Sequence, residues 1–181
     1  MEYFEQIVAK LIEKEGKWVK QNVKVDITKE EKKIIGKPSI PRPDIDIVAY
    51  NFLTNILEIW EVKSYLDSKG VKYKDLKQEY DIIEGNYKIL TSRKYREIIT
   101  NRLKIDWIKV GLIKEEPRII YGLAVGKINS QDEENIKKYF QNKGWLLKLP
   151  KDIYNGIKLL EKEAYENDPF IIASKIIFRG Q

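Results

Sequence analysis

Two acids and then an acid–lysine pair interrupt stretches that otherwise read as apolar strands. "PRPDIDIVAY" (41–50) carries Asp44 and Asp46 at the start of its apolar run, and "EIWEVKSY" (58–65) carries Glu61 and Lys63. Alternation along a strand puts Glu61 and Lys63 on one face with Leu57 and Ile59, and Ile56, Glu58, Trp60 and Val62 on the other. If the two segments pair as an antiparallel hairpin, the start of the first lies beside the end of the second. Asp46 or Asp44 then falls near Glu61 and Lys63. Two carboxylates hold a divalent cation through oxygen and leave positions for water and a phosphate oxygen. The lysine orients or helps deprotonate an attacking water and balances phosphate charge. Phosphodiester hydrolysis needs these parts and needs neither histidine nor cysteine.

That independence matters, because the 181-residue chain contains no cysteine and no histidine. Disulfides, thiolate metal sites, cysteine nucleophiles, Ser-His-Asp triads and imidazole bases are all excluded. Any metal must be held by oxygen, which favours Mg²⁺, Mn²⁺ or Ca²⁺. Lys and Arg number 34 against 28 Asp and Glu, a formal charge of +6. The excess suits a polyanionic partner, nucleic acid in the first place. A surface rich in Lys and Glu, with no Cys, also suits a heat-adapted source. The hydrophobic fraction of 43% supports a real core. No apolar run approaches the ~20 residues that span a bilayer, so no membrane partner is expected. The N-terminal stretch is acid-rich and helix-patterned, unlike a signal or transit peptide, and a cytoplasmic location is expected.

The elements that must position these residues follow from periodicity. Phe4, Ile7, Val8, Leu11 and Ile12 predict an amphipathic helix over 3–15, with Gly16 as its stop. Strands are predicted at 17–28, with an irregularity near Gln21-Asn22, and at 44–50 and 56–65, with a charged loop over 29–43. Helices are predicted at 71–85 and 92–106, with a short strand or extended link at 87–91 between them. Strands at 107–113 and 118–128 read as a hairpin, and a helix over 130–144 starts at Ser130 and ends at Gly144. A last strand (145–150) precedes closing helices over 151–167 and 169–178, with Pro169 in the first turn of the second. Residues 1–181 thus read as a single α/β domain, a central mixed sheet flanked by helices. The basic helix carries Arg93, Lys94, Arg96 and Arg102, which could track a nucleic-acid backbone. The four tryptophans, Trp18, Trp60, Trp107 and Trp145, fall in strand patterns and read as core.

Pro43-Asp44 or Asp46, followed by Glu61-Val62-Lys63, resembles the motif of the PD-(D/E)xK nuclease superfamily. That superfamily includes type II restriction enzymes, archaeal Holliday junction resolvases and RecB-type nuclease domains. In the resolvase-like branch an aspartate leads into an apolar strand ending in alanine, and "DIVA" (46–49) fits that register. The resemblance therefore favours Asp46 as metal ligand, with Asp44 a neighbouring or alternate one. It implies a restriction endonuclease-like αβββαβ core, with motifs in 1–84 and an insertion over 85–116. It implies that Glu5 on the first helix completes the metal site, with Glu2 behind it. It also implies that Gln78 reaches the site, and that Lys74 or Lys77 contacts phosphate. The implied activity is a Mg²⁺-dependent DNA nuclease. A non-catalytic nucleic-acid-binding module of the same fold is the alternative, and RNA or single strands are alternative substrates. A homodimer is expected of an enzyme that cuts both strands, because two sites related by a two-fold match duplex symmetry.

Overall fold

In the computed structural model, which describes residues 2–179, five strands form one mixed sheet in the order β1-β2-β3-β4-β5. β1 (Trp18–Lys24) pairs antiparallel with β2 (Asp44–Asn51), and β2 antiparallel with β3 (Ile56–Lys63). β4 (Arg118–Val125) lies parallel to β3, and β5 (Leu146–Lys148) parallel to β4. The expected hairpin forms with register Ile47↔Trp60 and Val48↔Ile59. Its turn is set by Asn51, whose side-chain oxygen accepts the N–H groups of Leu53 and Thr54, and by Asn55 at φ +53°.

The sheet separates two apolar layers. On one side lie α1 (Tyr3–Lys14), α7 (Pro150–Leu160) and α8 (Pro169–Phe178), packed on Ile47, Ala49, Trp60, Val62 and Ala124. Val8, Ala9, Leu11 and Ile12 are the buried stripe of α1, and Glu5 stands one turn ahead of them on the same face. On the other side α5 (Arg93–Lys109) and α6 (Glu133–Lys143) cover Val48, Tyr50, Leu57, Ile59 and Leu123. Trp60 lies so close over β4 that a Cβ on Gly122 would come within 2.5 Å of its ring, so only glycine fits beneath it. Trp60 and Trp107 are buried, and Trp18 and Trp145 pack against the core half-buried.

Several elements differ from expectation. The helix expected over 71–85 is a single turn, α3 (Tyr73–Leu76). Beyond it the backbone of Tyr80 is drawn into a bridge with Ser92, where Tyr80 N–H donates to Thr91 and Arg93 N–H donates to Tyr80. Those groups are then unavailable to a helix. The extended link at 87–91 is instead a turn of helix, α4 (Lys88–Thr91). The strand expected at 107–113 does not form, and neither does its hairpin with β4. α5 continues to Lys109 because Trp107 completes its buried stripe with Ile99 and Leu103, and Gly111 at φ +73° then turns the chain. The loop expected over 29–43 contains α2 (Lys29–Ile34), started by a capping box in which Thr28 and Glu31 satisfy each other's backbone N–H. α6 begins after Asp132 rather than Ser130, and ends at Gly144 in the left-handed region. α7 ends at Leu160, short of the expected 167.

One irregularity bears directly on the site. Strict alternation would put Ile45 and Ile47 on the same face, yet Ile47 packs in the α1-side core and Ile45 in the α5-side core. The same exchange occurs on β1 between Val19 and Val23. Between them sits Asn22 at φ +51°, opposite Asp46 in a register that runs Gln21↔Ile47 and Val23↔Ile45. Both strands change face at Asp46, which lifts its side chain out of either apolar layer.

Candidate active site

β2 leaves β3 where Asp46 begins. The β2–β3 ladder ends at Ile47↔Trp60, and the Asp46 carboxylate takes the next free donor, with Oδ2 accepting the Val62 N–H at 2.7 Å. Glu61 and Lys63 continue the Leu57/Ile59 face, as alternation requires, and Lys63 Nζ lies 2.6 Å from Glu61 Oε1. Asp44, Asp46, Glu61 and Lys63 line one pocket of about 170 Å³ at this end of the sheet. Asn86, Lys88, Ile89 and Tyr95 form its opposite wall.

The electrostatics are those of acids in excess. Burial pushes the Glu61 carboxyl up to about 7, opposed by Lys63 and reinforced by the charge of Asp46. Burial also raises Asp46, against the pull of the Val62 N–H and Lys63. Glu5 is raised by burial and then by Asp46, so α1 delivers a third carboxylate to the same neighbourhood. Glu5 is 9% exposed, and its Oε2 has no hydrogen-bond partner among the described residues. For Lys63, burial works against the charge, but Glu61 and Asp46 outweigh it and the ammonium is retained. Two buried carboxylates sharing one ammonium, with a third carboxylate near Asp46 that keeps a buried oxygen unpartnered among the described residues, are a poor arrangement for stability alone. They suit a hard divalent cation bound through oxygen. No group of three acidic side chains among the described residues forms a ready-made metal cage; Glu61 is turned onto Lys63.

Other expected residues lie elsewhere. Asp44 lines the pocket but is half exposed and ion-paired to Lys24 at 2.6 Å. Gln78 is exposed, accepts a hydrogen bond from the Tyr80 hydroxyl and does not line the pocket, because the segment carrying it is not a helix. Lys74 on α3 and Lys77 just after it are exposed, with Lys77 Nζ 5.7 Å from the Tyr73 ring centroid. The basic face of α5 is satisfied internally. Arg93 pairs with Asp81 at 2.6 Å, Lys94 with Asp81 at 3.0 Å, Arg96 with Glu79 at 2.9 Å and Arg102 with Glu31 at 2.8 Å. Arg96 also lies over the rings of Tyr121 and Trp145.

Sequence reasoning missed Asn86, Lys88 and Tyr95. They come from the stretch expected as an insertion, which supplies α4 and α5 and with them Ile89, Leu90, Ile99 and Leu103 of the core. Only a long-range packing signal could have found them.

No family model, curated protein or solved structure matches the chain. Among the described residues no helix is long and apolar enough to cross a membrane.

Proposed function

We propose that the protein is a metal-dependent nuclease that hydrolyses DNA phosphodiesters at the Asp46–Glu61–Lys63 pocket. The observation that carries this reading is the convergence of those three side chains in one pocket, with Glu5 of α1 close enough for the charge of Asp46 to raise it and with its Oε2 buried without a hydrogen-bond partner among the described residues. Structural salt bridges do not leave acids in such excess.

Asp46, Glu61 and Glu5 would hold Mg²⁺ or Mn²⁺, and Asp44, already on the pocket rim, is the nearest further acid. The cation, when bound, supplies charge neutralisation for the phosphodiester and acidifies water. The chain's own part is positioning. Asp46 is fixed by the Val62 N–H, so its carboxylate stays at the pocket without a rotamer search. Lys63 remains an ammonium beside Glu61 and donates hydrogen bonds to the attacking water or to a phosphate oxygen, stabilising charge as it develops. Apolar walls from Ile45 and Ile89 limit bulk water at the pocket. This reading puts the protein in the cytoplasm with its DNA, and as a homodimer where both strands are cut.

The test is incubation with plasmid, linear duplex, single-stranded and branched DNA in Mg²⁺, Mn²⁺ or EDTA. Cleavage that needs the metal and falls by about 10²–10⁴-fold in Asp46→Ala and Lys63→Ala is the expected result. Intact substrates in every metal would sink the enzyme reading. Variants that cut like the parent protein would sink the site.

A further inference from the structure

Resting on the nuclease reading, we infer that the nucleic-acid strand reaches the pocket along a groove between the loops 37–41 and 83–88, held by Lys88 and Lys37. The basic face of α5 is not its path. The groove, lined by Lys37, Ser39, Ile40, Pro41, Ile83, Glu84, Gly85 and Lys88, has a volume of about 430 Å³. Lys88 lines both this groove and the Asp46–Glu61–Lys63 pocket, so its side chain borders both spaces. It is exposed, and among the described residues it forms no ion pair. Its charge is nevertheless felt at Glu61. Lys37 is likewise exposed and forms no ion pair among the described residues. Glu84 is the groove's one acid, against those two lysines.

The distribution of satisfied and unsatisfied cations decides between the two paths. A phosphate that binds Arg93, Lys94, Arg96 or Arg102 competes with Asp81, Glu79 or Glu31 for the same cation and meets a locally neutralised surface. A phosphate at Lys88 or Lys37 displaces only water. Ile40, Pro41 and Ile83 add an apolar wall on which sugar or base surface can rest. The loop is held in place, with Lys32 Nζ donating to the Ile40 carbonyl at 2.8 Å and Ile83 N–H to the Ile35 carbonyl at 3.0 Å. The groove is therefore present before substrate arrives. Lys88 thereby becomes a substrate-binding residue that sets the strand's entry to the pocket.

The test uses the full chain with a short fluorescein-labelled oligonucleotide, single-stranded and duplex, in Ca²⁺ so that binding is read by anisotropy without cleavage. The double variant Lys37→Glu/Lys88→Glu is expected to bind at least tenfold more weakly. Its log-affinity against log-salt should be shallower by about 1.5–2, the share of two phosphate contacts. Lys151→Glu/Lys158→Glu on α7, across the sheet, matches the charge change and is expected to stay within about threefold of the parent. In Mg²⁺, Lys88→Ala should raise KM about tenfold with little change in kcat, and Lys88→Arg should restore it; a merely structural lysine would not divide the two constants. If the parent protein binds and cuts while the Lys37/Lys88 variant does the same, this inference falls and the nuclease reading stands. If Arg93→Glu/Lys94→Glu loses binding instead, α5 is the path. A parent protein that neither binds nor cuts any nucleic acid overturns both.

Discussion

Strand β3 carries a buried charge cluster towards each end, and the two are built on opposite rules. At Glu58 each carboxylate oxygen has its partner, with Lys17 Nζ at 2.7 Å on one and the Trp60 indole N–H at 3.0 Å on the other. Lys17 is shared with Glu15 at 2.8 Å, and Lys148 closes the group on Glu15. Two acids meet two lysines, and the sum is neutral. At the other end Glu61 and Asp46 share the ammonium of Lys63, the charge of Asp46 also reaches Glu5 on α1, and among the described residues Glu5 Oε2 is buried with no hydrogen-bond partner. Both clusters bear the cost of removing charge from water. Only the first recovers it within the chain, which makes the first a piece of the fold and the second a place for something else.

The sharpest way to break this contrast is at the neutral end. Lys17→Met leaves Glu58, 5% exposed, without its cation and should cost about 3–5 kcal/mol of stability in a urea titration. A loss below about 1 kcal/mol would mean that Glu58 is not buried as an ion. At the acidic end, Mg²⁺ or Ca²⁺ should raise the melting temperature. The expected gain is about 2.7 kcal/mol at a hundred times the dissociation constant, with no gain in Asp46→Ala. Without added cation, Glu5→Gln removes one uncompensated acid and should stabilise the chain by about 1 kcal/mol while impairing cleavage. A destabilised Glu5→Gln would show that the fold gains more from the charged carboxylate, held at the Glu2 backbone, than burial costs it.

The smallest effect is a difference of sign with pH, read in chelator. Burial raises the Glu15 carboxyl, but Lys148 and Lys17 pull it below its ordinary 4.5. Its contribution is therefore present above 4.5 and lost as pH falls through the lowered native value. With Glu15 40% exposed on its side chain, Glu15→Gln should cost only about 0.5 kcal/mol at neutral pH. Glu61 runs the other way. Its native value near 7 exceeds the ordinary 4.5, so it penalises the fold above pH 7 and the penalty is relieved as pH falls towards 4.5. Stability that falls monotonically from pH 7 to pH 5 in the parent, and equally in Glu61→Gln, would erase the distinction.

The acidic cluster was legible in sequence to the extent that it depends on alternation and pairing. Glu61 and Lys63 share a face because the side-chain period of a strand is 2, and "DIDIVAY" pairs with "ILEIWEVK" as a hairpin because each is a dense apolar run flanked by turn residues. Glu5 is buried because it lies one turn before Val8 and Ala9 on the α1 stripe. The charged loop hid a signal that was present and went unused, the Thr28…Glu31 capping box. The misread segments at 71–85 and 107–113 have a different cause. Tyr80 bonds to Thr91 and Arg93, and Trp107 belongs to a helix whose stripe begins at Tyr95, so tertiary contacts overrode local pattern in both. The far wall of the pocket, Lys88 and Tyr95, depends wholly on such contacts.

The turn that both strands make at Asn22 and Asp46 also governs what the sheet can join. β1 is an outer strand, and an outer strand with free N–H and C=O groups invites another chain to add to it. Here the ladder is bent at its middle by a residue at φ +51°, with Lys20 and Lys24 exposed on either side. A second copy approaching along β1 meets a bent rail with the ammonium of Lys20 beside the bend, which disfavours continuous sheet addition along that edge. The bend that frees Asp46 from both apolar layers thus also makes the β1 edge a poor template for another strand.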